Sequence, residues 1–159
     1  MAVEYSGSLD GAGLRIAIVV ARYNSFITER LLDGAQRAMA ECGVAKTEVA
    51  IIWTPGAFEL PLVAQRLALS RRFDSIICLG CVIRGETAHF EHVATASSRG
   101  ILEAGLQSGI PVIFGVLTTD TVEQARARAG SGIGNKGAEA VRTAVEMANL
   151  MRKLPLVSE

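Results

Sequence analysis

The sequence predicts a doubly wound α/β fold, a three-layer α/β/α sandwich around a four-stranded parallel sheet. Three observations carry that expectation. Four short runs rich in Val and Ile are almost continuously apolar, as strands covered on both faces must be. Apolar stripes of helical period fill the gaps between them. The connections are short, which for parallel strands implies right-handed crossovers.

The strands are expected at 14–20 (LRIAIVV), 49–53 (VAIIW), 75–81 (SIICLGC) and 111–117 (PVIFGVL). Between the first two, Ile27, Leu31, Ala35, Ala38, Met39 and Cys42 share one stripe, closed by Gly43 in a C-cap position. Leu60, Val63, Ala64, Leu67 and Ala68 form a second helix, with Pro61 tolerated in its first turn. Phe90, Val93, Ala94, Ser97 and Ile101 form a third, ending near Gly109. A short helix is expected over 122–129 and a long final one over 137–152. Residues 1–159 read as one domain, with 1–13 as an N-terminal arm.

Bulk properties narrow the function classes. The chain of 159 residues carries 16 basic and 16 acidic side chains, and its longest basic run is Arg71-Arg72. Neither nucleic acid nor an anionic membrane is an expected partner. Half of the residues are hydrophobic, yet no apolar run approaches the roughly 20 residues of a membrane helix. The surplus points to contacts between subunits. The start, MAVEYSGSLDGAG, has no basic segment followed by an apolar core, so no secretory signal is expected. A cytoplasmic homo-oligomer is the expectation.

Cys78 and Cys81 match C-x-x-C, but they lie inside a strand, where residues three apart face opposite ways. No second pair completes a zinc site. They read as buried structural thiols.

In a doubly wound fold, ligands bind beyond the carboxyl ends of the strands. The four post-strand loops are expected at 21–24 (ARYN), 54–59 (TPGAFE), 82–89 (VIRGETAH) and 118–121 (TTDT), on one rim. With Thr87 as helix cap, residues 85–88 would present free backbone N–H groups at the positive end of the third helix, an anion site suited to phosphate. His89 follows in the first helical turn, where the dipole opposes a second proton, so it reads as a base. His92 is read as solvated or paired with Glu91 or Glu86. These are the only histidines. A metal reading lacks both H-E-x-x-H geometry and a further ligand. Gly56, Ala57, Phe58 and Glu59 supply a close backbone approach, a stacking ring and a carboxylate acceptor; a plain helix start is the competing reading. Tyr23 and Asn24 add a second aromatic and an amide. The glycine-rich run at 126–137 (RARAGSGIGNKG) is no Walker A loop, because Gly137 stands where Ser or Thr is required. It either brings Arg128 and Lys136 to an anion or is a flexible hinge with solvated charges.

The ordered set ARYN at 21–24, PGAFELP at 55–61, GCVIRGETAHFE at 80–91, GVLTT at 115–119 and GNKG at 134–137 resembles the lumazine synthase family. The resemblance runs from Leu14 to Leu150. It implies condensation of 5-amino-6-(D-ribitylamino)uracil with 3,4-dihydroxy-2-butanone 4-phosphate to 6,7-dimethyl-8-ribityllumazine. Phosphate and water are released, in the penultimate step of riboflavin biosynthesis, without cofactor or metal. By motif, Tyr23 takes the place of a ring stacked on the pyrimidine, where the family more often has Phe or Trp. Asn24, Ala57, Phe58 and Glu59 match ribityl and ring contacts, and Cys81, Val82 and Ile83 match backbone contacts. Gly85, Glu86 and Thr87 match the phosphate turn, His89 the proton-transfer residue, and Arg128 and Lys136 the phosphate-holding cations. Phe114 matches a ring contact that the family takes from a neighbouring subunit. Family members form pentamers, and many assemble twelve pentamers into an icosahedral shell. The short loop at 130–137 resembles the shell-forming type, with riboflavin synthase as a candidate partner.

Two other readings stand beside this one. A flavodoxin-like sugar-phosphate isomerase would use His89 and the phosphate turn but leave Tyr23 and Phe58 without a role. A non-catalytic flavin-binding shell protein would keep the fold without turnover.

Overall fold

Six consecutive buried residues, Ile16–Ala21, form the inner strand β1, flanked by β2 (Val49–Thr54) and β3 (Ser75–Ile83), with β4 (Val112–Thr119) beyond β3. A computed structural model of the chain describes residues 1–130 and 134–156. All strand pairs are parallel and the order is β2-β1-β3-β4. The helices are α1 (Ser25–Cys42), α2 (Leu60–Leu69), α3 (His89–Ser108), α4 (Val122–Arg128) and α5 (Lys136–Lys153), and 3-10 turns occupy Lys46–Glu48 and Ala57–Glu59. This is the expected three-layer α/β/α, flavodoxin-like arrangement.

Alternation along each strand builds two cores. Ile16, Ile18, Val20, Ile77, Leu79 and Cys81 face α1 and α5. Ala17, Val19, Ala21, Ile76, Cys78 and Val82 face α2 and α3. The strands read as unbroken apolar runs because both faces are covered. Each fully buried Ile or Leu contributes about 1.5–3 kcal/mol of transfer free energy.

All four strands run past their expected ends, and Ala21 pairs with Thr54 where β1 and β2 close. Val82 pairs with Thr118 and Ile83 with Thr119, so these four residues extend the ladder instead of opening the loops. The cause is mutual pairing of β-branched side chains, which pack well on a pleated surface.

Residues 1–13 contain neither helix nor strand and lie along α5. Asn149 Nδ2 donates to the carbonyls of Ser8 (2.9 Å) and Asp10 (2.8 Å), and Lys153 Nζ to that of Ser6 (2.8 Å). Gly7 is required there, since a Cβ would stand 2.0 Å from the Glu146 carbonyl oxygen.

Candidate functional site

The chain passes from β1 outward to β2, then returns across β1 to β3. The reversal makes the β1/β3 boundary the switch point, where helices depart to opposite faces and leave a crevice. Tyr23 and Asn24 follow β1 on one side, and residues 84–89 follow β3 on the other.

Backbone straps hold the first two loops together. Arg22 N–H donates to the Thr54 carbonyl (2.8 Å) and Tyr23 N–H to the Pro55 carbonyl (2.9 Å). Asn24 adopts a left-handed conformation (φ 63) before α1 and donates Nδ2 to the Cys81 carbonyl at 2.8 Å. That bond crosses the switch point. Gly80 lets the Ala57–Glu59 turn settle on β3: a Cβ there would lie 3.2 Å from Leu60 Cδ1 and 3.5 Å from Ala57 Cβ. Ala57 is buried as a result, while Tyr23 (73% exposed) and Phe58 (62%) stand free on the rim. Large aromatics left this open are ready to stack on a planar ligand. Glu59 is also exposed and makes no side-chain hydrogen bond or ion pair among the described residues. Its carboxylate is available to a hydroxyl or ring N–H. The Ala57–Glu59 turn is a separate 3-10 segment, not the plain start of α2.

Residues 85–89 are all exposed. The cap differs from expectation: α3 begins at His89, Ala88 holds the cap position with no side-chain bond, and Thr87 Oγ1 accepts only from His89 N–H at 3.4 Å. Thr87 therefore sits one residue ahead of the cap. The amides of the turn still lie at the positive end of a 20-residue helix. A Cβ on Gly85 would meet nothing within 4 Å, so the turn is open. His92 is exposed one turn on, and its expected partner Glu91 is engaged by Arg84 instead.

Arg84 and Asp120 join the site without a motif role of their own. Arg84 Nε donates to Asp120 Oδ1 at 2.8 Å and Nη1 to Glu91 Oε1 at 3.3 Å, and the guanidinium lies 4.5 Å from the Phe90 ring centroid. Its hydrogen bond to Asp120 first, and that to Glu91 second, hold it further toward the charged form. The RGETAHFE string offers Glu91 as a partner, but nothing local signals Asp120.

Phe114 and Lys136 lie elsewhere. Phe114 pairs with Cys78 partway along the edge strand β4, five residues short of its Thr119 end, or about 16 Å along the strand. With Val112, Ile113, Lys136, Glu139, Ala140 and Thr143 it lines a shallow hollow of about 310 Å³ on the β4 edge. Lys136 Nζ is paired there with Glu139 Oε1 at 3.1 Å. Arg128 ends α4 and is exposed.

The glycine-rich run is a helix-docking device rather than a hinge at its described end. Asn135 caps α5 by accepting from Ala138 N–H (3.1 Å), and it donates to the carbonyls of Arg30 (3.2 Å) and Gly130 (2.9 Å). A Cβ on Gly137 would lie 1.9 Å from the Leu31 carbonyl oxygen, so α5 starts in backbone contact with α1. Ser131, Gly132 and Ile133 lie outside the described residues.

Cys78 and Cys81 fall into opposite cores, as alternation requires. Burial pushes their thiols up to about 12 and about 11, which removes them from thiolate chemistry. Among the described residues no helix is long and apolar enough to cross a membrane.

A doubly wound parallel sheet, with two free aromatics and an open turn of helix-start amides at its switch point, has the form of an α/β fold that binds small molecules beyond its strand ends. Residues 13–152 match the family model described as 6,7-dimethyl-8-ribityllumazine synthase, and the chain belongs to that family, a family of transferases serving riboflavin biosynthesis.

Proposed function

We propose that the protein condenses 5-amino-6-(D-ribitylamino)uracil with 3,4-dihydroxy-2-butanone 4-phosphate, forming 6,7-dimethyl-8-ribityllumazine and releasing phosphate and water. The observation that carries this reading is the open turn at 85–88 running into His89 after β3, with Tyr23 and Phe58 exposed on the loops after β1 and β2. Tyr23 and Phe58 hold the pyrimidine ring, while Asn24, Ala57, Glu59 and the backbone of Cys81, Val82 and Ile83 meet its polar groups and ribityl chain. Gly85, Glu86 and Thr87 receive the phosphate through amides at the helix start.

Imine formation and phosphate loss both require protons to move among carbon, nitrogen and oxygen, and His89 is the group positioned for that. The amides and the cations Arg128 and Lys136 stabilise charge on the departing phosphate. Holding two substrates together supplies much of the remaining acceleration, since little covalent activation is evident.

One copy cannot bring Phe114 and Lys136 to its own rim across about 16 Å of strand. A neighbouring copy that presents its β4 edge completes the site. Exposed Leu62, Leu69, Leu102 and Leu106 on α2 and α3, with Ile51 on β2, give the apolar surface such an assembly covers. The reading extends to pentamers, an icosahedral shell, a cytoplasmic location and riboflavin synthase as a candidate partner. Light scattering tests the assembly, and a pentamer-sized particle contradicts the shell.

Mixing the two substrates and following lumazine fluorescence with phosphate release tests the activity. Isomerised sugar phosphate without lumazine would favour an isomerase. Stoichiometric flavin binding without turnover would favour a non-catalytic shell protein.

A further inference from the structure

The cation that adjoins the phosphate turn in sequence is occupied by two carboxylates. Arg84 directly precedes Gly85, yet its guanidinium is shared between Asp120 after β4 and Glu91 in the first turn of α3, and it covers the Phe90 ring. Its backbone N–H continues the β3/β4 ladder by donating to the Thr119 carbonyl at 2.8 Å. Both ends of the turn are thereby fixed through one residue: the entry by the ladder, the exit by Phe90 and Glu91. Between them, the bond from His89 N–H to Thr87 Oγ1 is the one side-chain hydrogen bond among the described residues, and Gly85 stands in open space.

We propose that Arg84 is a positioning residue, a clamp that holds the amides of 85–88 and the His89 imidazole in place without touching substrate. The assignment rests on the condensation reading given above. Exposed ion pairs are individually weak. Here one planar guanidinium engages carboxylates from two separate elements and stacks on a ring, which a lysine ammonium cannot reproduce. The clamp matters because the turn has little else to hold it, and misplacing a binding group by about 1 Å is costly for catalysis.

Asp120 separates clamping from direct binding. If Arg84 clamps, Asp120→Asn loosens the turn and weakens phosphate binding. If Arg84 instead binds phosphate, the same change frees it and strengthens binding. The experiment uses the full chain as Arg84→Lys and Asp120→Asn variants. It measures KM for each substrate, inhibition by inorganic phosphate, and amide hydrogen exchange at Arg84, Glu91 and His92, whose bonded N–H groups bracket the turn. Expected in both variants is a rise of about 5- to 10-fold in KM for the phosphate-bearing substrate and in the phosphate inhibition constant. KM for the pyrimidine stays within about twofold, and exchange at Arg84, Glu91 and His92 accelerates at unchanged melting temperature. Tighter phosphate binding by Asp120→Asn, equal shifts in both KM values, or unchanged exchange would each overturn the proposal. Should the wild type form no lumazine, the condensation reading fails, and the exchange data alone still decide whether Arg84 holds the turn.

Discussion

Asn24 reaches across the switch point and donates its side-chain amide to the Cys81 carbonyl at 2.8 Å. One residue thereby sets the width of the crevice between the loop after β1 and the end of β3. It does so from a left-handed backbone conformation that asparagine tolerates better than most side chains.

Two substitutions at this position should differ. Asn24→Ala loses the bond and retains the backbone strain, and is expected to cost about 2 kcal/mol; Asn24→Gly loses the bond alone, for about 1 kcal/mol. Urea denaturation measures both. Equal costs would show that the backbone conformation contributes nothing.

Two glycines with opposite surroundings should also separate stability from binding. Gly137→Ala drives a methyl group into the Leu31 carbonyl and is expected to destabilise by about 2–3 kcal/mol. Gly85→Ala meets no atom, so it should melt like the parent while binding inorganic phosphate more weakly. Thermal melts and phosphate inhibition check the pair.

His89→Ala is expected to lower kcat by about 10- to 100-fold, at the lower end of acid–base effects, because two-substrate positioning survives. Steady-state turnover checks this. A drop as large as removing the whole site would refute the division of labour.

The buried thiols give a pH signature. Unfolded thiols ionise near 9.0, whereas burial pushes Cys78 to about 12 and Cys81 to about 11. Raised folded values mean that the neutral thiols' contribution is complete below about pH 9 and is lost as pH climbs through 11 and 12. Melting temperature should therefore fall across that alkaline window, and more steeply than in a Cys78→Ala, Cys81→Ala double variant. Identical pH profiles would contradict the assignment.

The sheet was legible because Val and Ile runs covered on both faces leave an unbroken apolar trace. The last pairs of β3 and β4 were not, because Val82 and Ile83 extend only where Thr118 and Thr119 meet them. Motif positions marked Tyr23, Phe58 and His89, and the structure leaves all three exposed on one rim. Asn135 and Gly137 belong to a run that reads as an anion loop or a hinge, and in the structure they dock α5 on α1. That use was hidden because Leu31 and Arg30 are more than a hundred residues away. Asp120 carries no local signal because its partner Arg84 lies 36 residues away on another strand end.

The central claim is that the rim of one copy and the β4 edge of another form each site, and complementation tests it most directly. Gly85→Asp places a negative charge in the phosphate turn, and Lys136→Glu reverses the edge cation. Neither variant alone should turn over the two substrates appreciably. Unfolded together in equal amounts and reassembled, they should recover about a quarter of wild-type activity, the fraction of sites that pair an intact rim with an intact edge. No recovery on mixing, with each variant correctly assembled, would contradict the account and put the whole site on one chain.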